Sequence, residues 1–317
     1  VEPGDFTFSP NTAPSGSYSG TVVGPDGTKT LSGIEVIQVA DTGSSTFLVR
    51  DGMSIQAAID AAEAGDTIEV GAGDYDEDLT IDKDVTLLGA QAGVDANDRD
   101  VEVTANETKI GGIITVSEPG VTFDGMRFDG TNQFQNDENS KVRLTKDDVT
   151  IKSSVFVELT EGKEVYVEGD NGVFEDNVVT LAGTSSINFQ KGEGGRIEKN
   201  ILDGASSDGS RGIQVSSHDD AEVIDNVVNN MGQHGIQIAK SDGVQVEGNT
   251  VTNAGRADLD GAFTLQGTSI TNLAVTNNTL EDSFVGVDVE GGADVATTDF
   301  TGNTLEGNEI GIFVEGG

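Results

Sequence analysis

The sequence predicts an all-β solenoid, a parallel β-helix, and three observations carry that prediction. The first is a column of asparagines, Asn177, Asn200, Asn226, Asn249, Asn278 and Asn303, whose successive members lie 23 to 29 residues apart. A fixed period of this length is the mark of a solenoid. The second is the frame these residues share: an apolar residue stands three before each and another two after. Carried back through Ser154 and Met126, the preceding position reads Phe123, Ile151, Phe174, Ile197, Val223, Val246, Val275, Phe300. The following position reads Phe128, Phe156, Val179, Leu202, Val228, Val251, Leu280, Leu305. All sixteen are apolar in a chain that is only 35% hydrophobic. The third is an in-out-in segment upstream of each frame, running from Ile114/Val116 through Ile213/Val215 and Ile236/Ile238 to Ile312/Val314. Period-two alternation over three or four residues is strand-like, and nothing between these segments is long enough for a helix.

Each repeat is therefore one winding of short strands, stacked about 4.8 Å from the next, with the apolar columns forming a continuous core. Asparagine suits the bend between two strands because it tolerates left-handed backbone. Its amide both donates and accepts, so stacked copies can bond along the axis. A net hydrogen bond contributes about 0.5–1.5 kcal/mol, against about 1.5–3 kcal/mol for a fully buried aliphatic or phenyl side chain. Packing holds the coil and the ladder sets its register.

The segments Gly212-Ile213-Gln214-Val215 and Val223-Ile224-Asp225-Asn226-Val227-Val228, with their successors, resemble the right-handed parallel β-helix repeats of the pectin-lyase-like superfamily over about residues 51–317. The resemblance implies a right-handed, single-stranded β-helix. It leaves the activity open, because that superfamily holds lyases, hydrolases, epimerases, viral fibre proteins, adhesins and non-catalytic surface proteins.

Residues 1–50 form a separate unit. Four of the five prolines (Pro3, Pro10, Pro14, Pro25) fall there, Pro25-Asp26-Gly27 signals a turn, and strands are expected at Leu31–Val39 and Thr46–Arg50. The unit reads as a β arm that covers the first coil or pairs with a neighbouring subunit's edge. Residues 54–64 are the one helix: Ser54 is the N-cap, Ile55, Ala58, Ile59 and Ala62 share a face, and Gly65 is the left-handed stop. That helix closes the core's open end. The stretch Ser54–Gly89 resembles the superfamily's N-terminal cap and first coil, with coils running from about 67 to 317. The polar stretch Asp95–Asp100 reads as a solvated loop, since EF-hand spacing is missing. Longer turns, where binding loops project, are expected at 129–141, 203–211 and 253–261. The chain begins at Val1 without methionine or signal peptide, which suggests a processed or excised segment of an exported protein. It stops just after Ile312-Phe313-Val314 without a second cap, which suggests a longer polypeptide or an end covered by another chain.

Lys and Arg total 17 against 56 Asp and Glu, a net charge of −39. Self-repulsion of that size destabilises a compact state in dilute buffer. At molar salt the screening length falls to about 3 Å, so the composition reads as adaptation to high salt and resembles that of haloarchaeal proteins. With no basic patch, nucleic acid is excluded as a partner. There is no cysteine, hence no disulfide or thiolate metal site. No apolar run reaches the ~18–20 residues of a membrane span. Sequons at Asn106-Glu107-Thr108 and Asn277-Asn278-Thr279 make Asn106 and Asn277 candidate glycosylation sites.

An active site is sought on outward side chains of neighbouring coils, where carboxylates cluster in polysaccharide-acting β-helix enzymes. The outward column reads Thr115, Arg143, Tyr166, Asn188, Gln214, Gln237, Thr264, Asp288, Phe313, with one acid. The next column holds Glu168 and Glu290, about 24 Å apart at ~4.8 Å per coil, too far for an acid/base pair needing about 5–9.5 Å. No calcium-ligand cluster emerges; no cofactor or metal is expected, calcium alone being left open. His218-Asp219-Asp220 and His234-Gly235 resemble the Asp-Asp and Gly-His-Gly motifs of polygalacturonase-like hydrolases, but Gln233 replaces the first glycine and the other two motifs are missing. His218, Asp219, Asp220 and His234 are thus weak catalytic candidates, and both histidines are expected on the surface without a catalytic role. Arg143 and Glu168 read as an exposed ion pair and Asp258-Leu259-Asp260 as a solvated loop. Tyr166, Asn188, Gln214 and Gln237 could bind sugar hydroxyls. The expectation is a non-enzymatic structural or adhesive protein of a cell or virion surface. Such a filament, surface-layer or appendage subunit would associate with itself, with other surface proteins or with carbohydrate. The alternative is a polysaccharide lyase, hydrolase, epimerase or carbohydrate-binding module.

Overall fold

Strands of three or four residues cannot hold themselves, so each must pair with its equivalent one period on. The computed structural model, which describes residues 7–12, 18–24, 27–34, 37–40, 45–100, 104–129, 140–159, 164–181, 187–204, 209–255, 260–293 and 296–315, has this arrangement from Asp66 onward. Three parallel sheets wrap the core. The first contains the segment before each ladder residue, as in Glu222–Ile224; the second the segment after it, as in Val227–Asn229; the third the alternating segment, as in Ile236–Ala239. Among the described residues the second and third sheets have ten strands each, and the first has twelve, of which the outermost, Ile37–Ala40, pairs antiparallel.

The register is that of the apolar columns. Phe123, Ile151, Phe174, Ile197, Val223, Val246, Val275 and Phe300 are successive partners in the first sheet. One core runs from Phe47 to Val289, with Phe300 and Leu305 packed partly buried against its last coil. At that end Ile312 and Val314 are exposed. Phe128 stacks on Phe156 at 4.5 Å between ring centroids, and Phe156 meets Phe174 at 5.5 Å.

The ladder is built as expected and binds more than its neighbours. Asn226 Nδ2 donates to Asn249 Oδ1 (2.9 Å) and to Ile197 O (2.8 Å), while its Oδ1 accepts from both the backbone N–H and the Nδ2 of Asn200. Each amide thus ties three coils together. Ser154 continues the column, its N–H donating to Asn177 Oδ1 and its Oγ accepting from Met126 N. The left-handed bend, however, falls one residue earlier: Ser153, Asp176, Lys199, Asp225 and Asn277 have φ of 49–58°. The ladder asparagines are chosen for their amide bonds, and the residue before each absorbs the bend.

The helix spans Ile55–Ala61, shorter than expected. Ser54 Oγ accepts from Ala57 N, and the Glu77 carboxylate accepts from Ile55 N and Ser54 Oγ, placing an anion on the helix's positive end. Lys83 Nζ donates to the carbonyls of Ile59 and Asp60 at the other end. The chain leaves the helix through extended Ala62, so Gly65 (φ +88°) turns it three residues later. Ile55, Ala58 and Ile59 are buried over the first coil, closing the core's N-terminal end. Upstream, strands 7–12, 18–24 and 27–34 form an antiparallel sheet. The single strand expected at Leu31–Val39 is two, Gly27–Ile34 and Ile37–Ala40, the latter pairing with Ser45–Val49.

The Asp95–Asp100 excursion exposes Asn97, Asp98 and Asp100 as expected of a solvated loop, but it is also anchored to the coils. Ala96 is fully buried, its N–H donates to Asp176 O, and Asn97 Nδ2 donates to Lys199 O, so the segment lies across the turns of later coils. Arg99 anchors it, with Glu107 at 3.1 Å and Ser153 O at 2.5 Å, and burial pushes the Arg99 pKa down and that of Glu107 up. The turns 129–141, 203–211 and 253–261 lie partly outside the described residues, as do Pro25-Asp26 and Asp258-Leu259.

Candidate functional site

The outward column of the third sheet is in register from Tyr166 through Asn188, Gln214, Gln237, Thr264 and Asp288 to Phe313. Its amides bond one another: Gln214 Nε2 donates to Gln237 Oε1 (2.6 Å), and Gln237 Nε2 to Gln266 Oε1 (3.3 Å). Gln266 Nε2 donates in turn to Glu290 Oε2 (3.0 Å). Gln214 and Gln237 are 8% and 7% exposed, whereas Tyr166 and Asn188 are half-buried. Glu168 pairs with Lys191 of the next coil at 3.1 Å; the side chain of Arg143, its expected partner, lies outside the described residues.

Neither histidine is on the surface. His218 is fully buried, its ring 5.5 Å from that of Phe189. Its Nδ1 accepts from Gly192 N (3.1 Å) and its Nε2 donates to Gly194 O (2.7 Å). The ring lies so close that a Cβ at Gly192 would come within 2.6 Å of its Cε1. Coil stacking explains the burial: the histidine's turn sits directly on the turn of the preceding coil. Burial holds the His218 pKa below its ordinary value. A depressed histidine contributes stability that is complete above the unfolded pKa near 6.5 and is lost as pH falls through the folded value. The melting temperature of the native chain is therefore expected to fall between pH 7 and 5 more steeply than that of His218→Gln, measured in molar KCl. Parallel slopes would contradict this.

Asp219 and Asp220 lie in the same turn and have structural partners. Asp219 Oδ1 accepts from Asp242 N (2.8 Å), repeating bonds from Asp170 N to Asp147 Oδ1 and from Glu193 N to Asp170 Oδ1. This second, exposed ladder of carboxylates caps backbone N–H groups on the turn. Asp220 has a left-handed φ of 52°.

His234 is different. It precedes the strand Ile236–Ala239, is 5% exposed, and its Nδ1 lies 2.9 Å from Thr264 Oγ1 and 3.6 Å from Asp260 Oδ1. Burial pushes its pKa down to about 4, so the ring is neutral at neutral pH. Glu290, from the following coil, completes a group in which one donor atom from each of His234, Asp260 and Glu290 lies within 4.8 Å of the others. Asp288 stands beside them, 2% exposed and in register with Thr264. Burial, then its hydrogen bond and negative charge from Glu290, push the Asp288 pKa up to about 8. Glu290 titrates below its usual range, held there by hydrogen bonds from Asp288 and Gln266 against the opposing effect of burial. Chemically, the group offers one neutral imidazole and three carboxyls, a donor set suited to holding a cation or moving a proton.

His218 and His234 do not share a site, and Asp219 joins neither. His234, Asp260, Asp288 and Glu290 do come together, although the first three stand in three successive coils. The signal for this was present but weak: Asp260 lies 26 residues after His234 and Glu290 thirty after Asp260, close to one period each. Asp260 read as loop because its turn carries no alternation.

Asn106 and Asn277 are both exposed at turns. Among the described residues no helix is long and apolar enough to cross a membrane.

The family described as "Right handed beta helix region" matches residues 112–270 and 165–317. No curated protein matches the chain. Among solved structures, the chain is similar to the A-module of the mannuronan C-5 epimerase AlgE6 of Azotobacter vinelandii, with 18% identity over 83% of this chain and 91% of that one and a TM-score of 0.42. It is also similar to the periplasmic alginate epimerase AlgG (10% identity, 87% and 79% covered, TM-score 0.36). A third is tailspike protein 3 of bacteriophage CBA120 (11%, 88% and 54%, TM-score 0.35). The in-register coils and the match to residues 112–317 agree, and the chain belongs to the right-handed parallel β-helix family.

Proposed function

We propose that this chain is a salt-adapted, extracellular structural or adhesive element of a cell or virion surface, and not a polysaccharide-acting enzyme. The observation that carries the reading is the state of the two histidines. A general base must come within about 2.6–3.2 Å of a substrate proton. His218 is fully buried with both ring nitrogens on backbone groups, and His234 is 5% exposed with Nδ1 against Thr264. The outward amides likewise bond one another and make a rigid polar strip.

In this reading, residues 1–50 are the arm that engages a neighbouring subunit, and Asn106 and Asn277 carry glycans. The half-buried Tyr166 and Asn188 offer carbohydrate a shallow contact. The excess of 56 acids over 17 bases demands screening, so folding is expected in molar KCl and weakened in dilute buffer.

The test is incubation of the chain with acidic polysaccharides in molar KCl. Products are followed by absorbance of unsaturated ends, reducing-end assay and NMR of uronate stereochemistry, alongside light scattering. The expected result is assembly without product. Product that disappears in His234→Ala or Asp219→Ala, or a strictly monomeric chain, would overturn the proposal.

A further inference from the structure

We propose that His234, Asp260 and Glu290 bind one divalent transition ion of the zinc class beside the buried Asp288, and that the ion staples three successive coils. Three observations carry this. The donor atoms of His234, Asp260 and Glu290 already lie within 4.8 Å of one another.

The second observation is independent of the first. Asp288 is 2% exposed, and its Oδ1 has no hydrogen-bond partner. An orphaned buried carboxylate oxygen needs an explanation. Its strand position is in register with Thr264, whose Oγ1 touches His234, and its side chain hydrogen-bonds Glu290, so the buried orphaned oxygen is carried by a residue next to the cluster.

The third is how the ligands are held. Glu290 Oε2 accepts from Gln266, at the end of the bonded series from Gln214. Thr264 fixes the imidazole, and its Oγ1 accepts from Gly261 N (3.3 Å), directly after Asp260. Partners that orient metal ligands are the usual mark of a metal site.

The donor types choose the ion. Calcium takes six to eight oxygens, whereas an imidazole with carboxylates suits zinc and its neighbours. Such an ion would bridge the turn before Ile236–Ala239, the turn before Gly261–Gln266 and the strand Val285–Glu290. The role is structural and holds whether or not the chain turns over a substrate.

The test uses the full chain, stripped with EDTA and dialysed into molar KCl so that exposed carboxylates are screened. Titration with zinc chloride by calorimetry is expected to show one ion per chain and a rise in melting temperature, with calcium chloride binding at least tenfold more weakly. Glu290→Gln and, separately, Asp260→Asn are each expected to weaken zinc by about tenfold or more, while Glu247→Gln on an exposed strand position leaves it unchanged. Asp260→Asn sits in a turn and decides the matter should Glu290→Gln not fold. Cobalt substitution should give visible absorption bands that shift on His234→Gln. Unchanged zinc affinity in the folded variants, calcium binding as tight as zinc, or binding that never saturates at one equivalent would overturn the proposal.

Discussion

Replacing Phe156 by alanine is expected to cost about 3–5 kcal/mol. Phe156 is fully buried and stands between Phe128, stacked at 4.5 Å, and Phe174 at 5.5 Å. Its removal forfeits the transfer energy and both aromatic contacts, each worth about 0.5–1.5 kcal/mol. The cavity cannot collapse easily, because every strand around it is locked in register to the coils above and below. Phe156→Leu keeps most of the volume and should recover more than half the loss. Guanidinium unfolding followed by circular dichroism measures both. A loss under about 1 kcal/mol for the alanine variant would mean that the core relaxes far more than a well-packed interior does.

Asn226→Ala is the second large effect, expected at about 2–6 kcal/mol from two buried donors at about 1–3 kcal/mol each. The substitution removes the acceptor of Asn200 N–H and of Asn200 Nδ2, and the donor to Ile197 O. No water can reach these groups, since Asn200 and Asn226 are both fully buried. Asn303→Ala deletes the same kinds of bond at a half-buried position in the last described coil and should cost clearly less. Equal losses at the two sites would show that burial does not set the ladder's worth. A coil that transmits stability mainly to its neighbours should also lose hydrogen-exchange protection around residue 226 before it does so near the N-terminal cap.

The architecture was legible in the sequence to single-residue register. Phe174, Val246 and Leu202 sit where the frame puts them because a coil's buried positions recur once per winding and tolerate only apolar side chains. The ladder was legible for the same reason: a buried amide in a repeating bend must bond the next one. What the frame misplaced was the left-handed residue, now Asp225 and not Asn226, since both types tolerate that conformation and composition alone does not separate them. Likewise Gly65 was a genuine left-handed glycine but not the helix's own stop.

The site was much less legible. His218 and His234 looked alike in one dimension, each a lone histidine beside a strand. Stacking buries one against Phe189 and backbone groups, and places the other among Asp260, Asp288 and Glu290. Likewise the Asp95–Asp100 segment, polar and unpatterned, is held across turns from residues 153 to 199 through Arg99 and Asn97. The β-helix, its period and the inward columns can be read from the repeat alone. All of these follow from interactions that repeat locally, along one winding or between neighbouring windings. Which turn residues meet emerges once the coils are stacked, because turn lengths vary between 23- and 29-residue windings. Each extra residue there redirects a side chain without leaving any mark on the periodic positions.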